Sequence, residues 1–118
     1  MNYKVNLDLE ISGSRLNPQT HEGVADVFPI SKIALQNLSM SRSLGEAKSF
    51  EPLINKCKQG GEQELSKAEF DIFYQRVVCR LSTENKIAVA EMLSENGVDY
   101  EAYEAELPKI IRPQIPQI

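Results

Sequence analysis

His21, Cys57 and Cys79 are the residues of this sequence best suited to nucleophilic or acid–base work, and their number already restricts the chemistry. A single histidine cannot build a multi-histidine metal site, and it leaves one imidazole for proton transfer. It stands between Thr20 and Glu22 in an expected loop, where a solvated imidazole is the ordinary outcome. A Cys–His nucleophilic pair would need one thiol to meet His21 in space, and no local spacing provides that. Cys57 lies between Lys56 and Lys58, and Cys79 precedes Arg80, cations that lower a thiol pKa when the thiol is exposed beside them. Yet Cys57 shares the helical spacing of Phe50 and Ile54, so it is expected as a small core residue and Cys79 as a helix-flank residue. Two cysteines this far apart form neither a disulfide framework nor a zinc or redox motif, and both are expected as reduced thiols.

Carboxylates are plentiful, as in Glu91 and Glu95 one helical turn apart, but a general acid and base require one carboxyl to be desolvated and the other not. The Gly60-Gly61 pair lacks the following Lys-Ser/Thr of a phosphate-binding loop and the spacing of a dinucleotide fingerprint, so it is expected as a loop. No catalytic residue, cofactor or metal site is therefore expected, and the chain is not expected to be an enzyme.

Charge is placed unevenly, and this bears most directly on function. From residue 29 to 58, Lys32, Arg42, Lys48, Lys56 and Lys58 face Glu46 and Glu51, a local net of about +3. From 84 to 106, Glu84, Glu91, Glu95, Asp99, Glu101, Glu104 and Glu106 face only Lys86, a local net of about −6. Such a stretch either forms an ordinary solvated surface or meets a basic partner, whose association it would speed and select. The expected helix, Asn96-Gly97 turn and helix invite comparison with a DNA-binding helix-turn-helix, but a helix between two phosphate backbones needs Lys, Arg, Asn or Gln where residues 99–106 offer carboxylates. Direct DNA reading is not expected. Imitation of a phosphate strand, blocking a nucleic-acid-binding protein, is a lesser alternative.

These side chains must be carried by a small scaffold. At 118 residues the chain has the size of one domain, and its 42% hydrophobic and 25% charged content is that of a folding sequence. Tyr3, Val5, Leu7, Leu9 and Ile11 alternate with polar residues as in a half-buried strand. A second extended run covers residues 23–30. A lone two-stranded ribbon is marginal in water, so helices or a partner's strand must cover it. A helix is expected from Ser31 as cap to about residue 42, a short one capped by Ser49, and a central core helix over Phe70, Phe73, Tyr74, Val77, Val78 and Leu81. A fourth helix buries Ile87, Ala90 and Leu93 and stops at Asn96-Gly97, and a fifth runs from Asp99 to Pro108. The fold class expected is a mostly helical single α+β domain, residues 1–107, with an N-terminal strand pair (residues 3–11 and 23–30) on about five helices. Residues 108–118 follow as an extended Pro/Ile-rich tail, in which Ile110, Ile111, Ile115 and Ile118 are expected to pack on their own domain or on another subunit.

No apolar run approaches the roughly 20 residues of a membrane span, and the alternating N-terminus lacks the apolar block of a secretory signal. A cytoplasmic protein is expected, with no membrane partner. The expected function is that of a small non-enzymatic accessory protein acting by protein–protein interaction, as an inhibitor, adaptor or assembly chaperone. Its partner-binding positions are Glu91, Glu95, Asp99, Glu101, Glu104, Ile111 and Ile115, and the partner is expected to offer a basic surface. The alternative is a structural subunit that self-associates into a homo-oligomer through the first strand or the tail.

Overall fold

A computed structural model describes residues 2–16 and 23–107. Its order is β1 (Tyr3–Asn6), β2 (Glu10–Leu16), β3 (Gly23–Pro29), α1 (Ile30–Asn37), α2 (Leu44–Gln59), β4 (Glu62–Leu65), α3 (Lys67–Arg76), a 3₁₀ turn (Val78–Arg80), α4 (Thr83–Glu95) and α5 (Tyr100–Ala105). The mostly helical α+β class expected from the sequence is what the chain adopts. His21 and the tail 108–118, with Ile111 and Ile115, lie outside the described residues.

The strand expected over residues 3–11 divides in two. Asn6 accepts the N–H of Asp8 on its side chain (3.0 Å) and the N–H of Leu9 on its carbonyl (3.2 Å), an Asx turn that interrupts the strand inside an unbroken alternation pattern. The inward phase survives the turn: Tyr3, Val5, Leu7 and Ile11 are all buried. The two halves take different antiparallel partners. β2 pairs with β3 from Glu10↔Pro29 to Leu16↔Gly23, as a strand pair near the N-terminus should, whereas β1 pairs with β4, Tyr3 opposite Leu65 and Asn6 opposite Glu62. β4 follows the expected Gly60-Gly61 loop over residues for which the sequence indicates no element, because in Glu-Gln-Glu-Leu only Leu65 is buried and no alternation of apolar residues marks it.

Neither ribbon stands alone. α4 covers β1: the Asn6 N–H points at the Met92 sulfur (3.3 Å), and the Asn96 amide donates to the Lys4 carbonyl (3.2 Å). On β2, Asn85 of α4 accepts the Ser12 N–H (3.1 Å) and donates to the Ser12 carbonyl (2.7 Å), so its amide acts as one residue of an adjoining strand. Gly60 ends α2 at φ +69°, in left-handed space, and a Cβ there would stand 2.8 Å from the Asp8 carboxylate, so the turn into β4 demands glycine.

The helices differ from expectation mainly at their ends. α1 starts after Pro29 with no side-chain cap and buries Ser31, the expected cap, inside its first turn; it stops at Asn37 instead of reaching residue 42. α2 starts well before Ser49. Ser43 caps it by accepting the Glu46 N–H (3.1 Å), Glu46 accepts the Arg42 N–H in return (2.9 Å), and Pro52 falls in the interior instead of the first turn. α3 opens on a capping box between Ser66 and Glu69 and stops at Arg76, where the β-branched pair Val77-Val78 tightens into the 3₁₀ turn. Phe70, Phe73, Tyr74 and Val77 are buried as the helical spacing requires. At the centre, Tyr3 stacks on Phe70 (4.4 Å between centroids) and both meet Tyr103 edge-on (5.6 and 4.7 Å), joining β1, α3 and α5.

Candidate functional site: an acidic rim around an apolar groove

The candidate site is built on α4 and α5. Ser82 caps α4 by accepting the Asn85 N–H (3.3 Å), and Gly97 at φ +77° lets the Val98 N–H return to the Leu93 carbonyl (2.8 Å), closing the helix. Asp99 then caps α5, its carboxylate accepting the Ala102 N–H (3.0 Å). α5 is only six residues long, too short to be stable by itself, and two phenol–carboxylate bonds tie it to α3: Tyr103 donates to Asp71, and Tyr74 donates to Glu104. Burial first, and then the carboxylate each hydroxyl faces, raise the pKa of both tyrosines, so both stay neutral donors.

α4 presents a different face to the core from the one its periodicity suggests. Asn85, Val89, Met92 and Leu93 point inward, whereas Ile87 is 53% exposed and Ala90 half-buried. Leu93 alone of the expected stripe is fully buried. The reason is that α4 carries two apolar stripes, and the one that includes Asn85 faces the core because that amide is needed at Ser12. The outward stripe lines a groove of about 340 Å³ between α3, the 3₁₀ turn, α4 and α5, with Tyr74, Cys79, Ile87, Ala90, Tyr100 and Glu104 on its walls. Ile87, Ala90 and Tyr100 carry it on into a shallower depression bounded by Glu91 and Glu95.

The expected partner-binding carboxylates therefore have different roles. Glu91, Glu95 and Glu101 are exposed, and their carboxylates make no hydrogen bond or ion pair among the described residues. Asp99 serves α5 as its cap, and Glu104 receives Tyr74 at the groove wall. The basic stretch 29–58 does not neutralise this face. Lys56 pairs with Glu69 (2.9 Å), Lys48 with Glu51 (3.2 Å) and Arg42 with Glu46 (3.8 Å), all outside residues 84–106.

Neither described thiol is activated. Cys57 is buried, and desolvation pushes its pKa up to about 11; the ammonium of neighbouring Lys56 is engaged by Glu69 and the Glu64 carbonyl. Cys79 is partly buried and is also raised, by desolvation first. Among the described residues no three His, Cys, Asp or Glu side chains gather as a metal site would require, and no helix is long and apolar enough to cross a membrane. Comparison with protein-family models, with curated proteins and with solved structures finds no match to this chain. Its own residues must carry the functional argument.

Sequence reasoning missed Ile87, Ala90 and Tyr100 as groove-lining groups, whereas Cys79, expected at a helix flank, lies at one, in the 3₁₀ turn after α3. The signal available was that α4 has more apolar residues than one buried face needs: Ile87, Ala88, Val89, Ala90, Met92 and Leu93 cannot all face one core.

Proposed function

We propose that this chain is a small non-enzymatic accessory protein of the cytoplasm that binds another protein through the acidic rim and apolar groove of α4 and α5, as an inhibitor, adaptor or assembly chaperone. The observation that carries this reading is the placement of Glu91 and Glu95. They lie one turn apart in the later half of α4, where like charges repel and the helix dipole disfavours anions, and no basic residue occupies the last turn. Local stability would favour lysine at either position. Carboxylates at these positions, beside exposed Ile87, suit a partner that offers cations around an apolar contact.

The experiment is capture of partners from native cell extract by the tagged full chain at low and high salt, repeated with Glu91→Gln/Glu95→Gln/Glu101→Gln. Three rim charges at ~0.5 kcal/mol each should together weaken a true complex about tenfold. A stoichiometric protein captured at low salt, released by high salt and lost from the triple variant supports the reading. Equal capture by the variant overturns it.

The chain also has one feature of a self-associating subunit: β3 pairs on one side only, with β2, and its Val27 is 64% exposed. Sedimentation of the purified chain separates the two, since a structural subunit forms a stable oligomer unaided and unaffected by salt.

A further inference from the structure

We propose that the apolar groove between α3, α4 and α5 is the seat of the chain's own C-terminal segment, residues 108–118, held in cis. The segment takes the same groove and rim carboxylates as the partner proposed above, so a partner must displace it; the test below reads the segment's position in the chain alone and fails separately from the partner reading.

Three observations meet here. The groove is a continuous apolar surface in which Ile87 is more than half exposed although α4 already buries a full stripe on its other side. Surface of that kind is unfavourable in water until something covers it. The segment beyond Leu107 has the matching composition: Ile110, Ile111, Ile115 and Ile118 in eleven residues, with Pro108, Pro113 and Pro116 between them. Prolines favour an extended backbone before docking, so less conformational entropy is lost on seating it.

Position and charge supply the rest. Leu107 is buried and its N–H bonds the carbonyl of Glu104 (3.2 Å), which stands on the groove wall, so the last described residue lies within one turn of the groove, although Glu106 between them lines a separate depression beside Asn2 and Asn96. Eleven extended residues reach roughly 35 Å, while the wall that α4 contributes from Thr83 to Leu93 is roughly 15 Å long at the helical rise. Length is therefore ample for at least two isoleucines to enter. The two cations of the segment, Lys109 and Arg112, match a border carrying Glu91, Glu95 and Glu104, with Lys86 as the one lysine on the groove wall.

The test uses the groove's native thiol in the full chain. Cys79 lines the groove, and Cys57 is buried at 2% exposure, which makes it the internal control. Three full-length variants, Ile110→Cys, Ile111→Cys and Ile115→Cys, are oxidised with copper phenanthroline and digested. At least one should give an intramolecular disulfide to Cys79, seen as a linked peptide pair in mass spectrometry and as a monomer on a non-reducing gel. In parallel, Cys79 of the unmodified full chain should react with a thiol reagent about tenfold more slowly than in Ile110→Asp/Ile111→Asp/Ile115→Asp. Disulfides joining two copies, seen as dimers, would place the segment on a neighbouring molecule and overturn the inference. Equal Cys79 reactivity in the two chains, without any cross-link, would show that the segment does not cover the groove and would overturn it too.

Discussion

Glu69 is the residue on which three elements converge. Its carboxylate, 9% exposed, accepts the Lys56 ammonium (2.9 Å) from α2 and the Ser66 N–H (2.8 Å) from the start of α3, and Lys56 also donates to the Glu64 carbonyl of β4 (2.6 Å). Burial alone raises the Glu69 pKa, but the bonds from Lys56 and Ser66, with the Lys56 charge, outweigh it and hold the group below its ordinary value. A depressed carboxyl contributes its stability fully above the unfolded value of about 4.3 and loses it as pH falls through the folded value. Lys56→Met should therefore cost about 2 kcal/mol at pH 7, where the carboxylate is left buried without its cation. The cost should shrink on acidification, and equal losses at pH 7 and pH 3 in urea titrations would refute this role. At the other end of the scale, Cys57, Tyr74 and Tyr103 all have raised values. Groups of that kind stabilise the fold fully below their unfolded pKa values, about 8.5 for a thiol and 10 for a phenol, and the contribution is lost as pH rises through the folded values. Stability should thus fall from about pH 8.5 upward, and Cys57→Ala should flatten the part of that fall between about pH 8.5 and the folded thiol's value of about 11.

Among the elements, α2 carries an internal penalty that its neighbours overcome. Pro52 is exposed in the interior of a sixteen-residue helix, where it can donate no N–H to the Lys48 carbonyl, while Phe50, Leu53 and Cys57 hold the helix on the core. Pro52→Ala should raise stability by about 2 kcal/mol, the helix gain less the entropy proline removes from the unfolded chain. Thermal and urea unfolding would show this as a higher midpoint with an unchanged urea slope; no gain would mean that α2 pays nothing for its proline. The same helix shows what sequence can reveal of an element. Its buried stripe was legible because apolar residues at three- and four-residue spacing must share a face, but its first turns were not, since residues 44–49 bury no apolar side chain and leave only the Ser43–Glu46 cap as a sign. β4 was illegible for the related reason that a four-residue strand with one buried side chain has no period. β1 and β2 read as one strand because a turn that preserves inward phase leaves the alternation intact.

At the scale of the whole molecule, the candidate site was legible in charge and illegible in shape. Acidic residues declare themselves by type, so Glu91, Glu95 and Glu101 could be read directly, but the capping role of Asp99 and the bond from Tyr74 to Glu104 depend on how the helices meet. The groove was hidden because the choice between two apolar stripes on α4 rests on Asn85, whose partner Ser12 is 73 residues away in sequence. That contact also divides the molecule. β1 and β4 belong to the aromatic core, whereas the β2–β3 ribbon is attached at its base through Ile11 and Phe28 and along its edge by the Asn85 amide. Asn85→Ala would leave the Ser12 N–H and carbonyl without that partner and should cost about 1–3 kcal/mol. Its effect should be local, because the ribbon can open without disturbing the stack of Tyr3, Phe70 and Tyr103. Hydrogen exchange of the full chain provides the measurement. The β2 and β3 amides should exchange faster than those of β1 and α3 already in the unmodified protein, and Asn85→Ala should widen the gap by about ten- to a hundredfold. If protection instead falls equally in α3 and in the ribbon, the two sheets open as one unit and Asn85 holds the whole fold together.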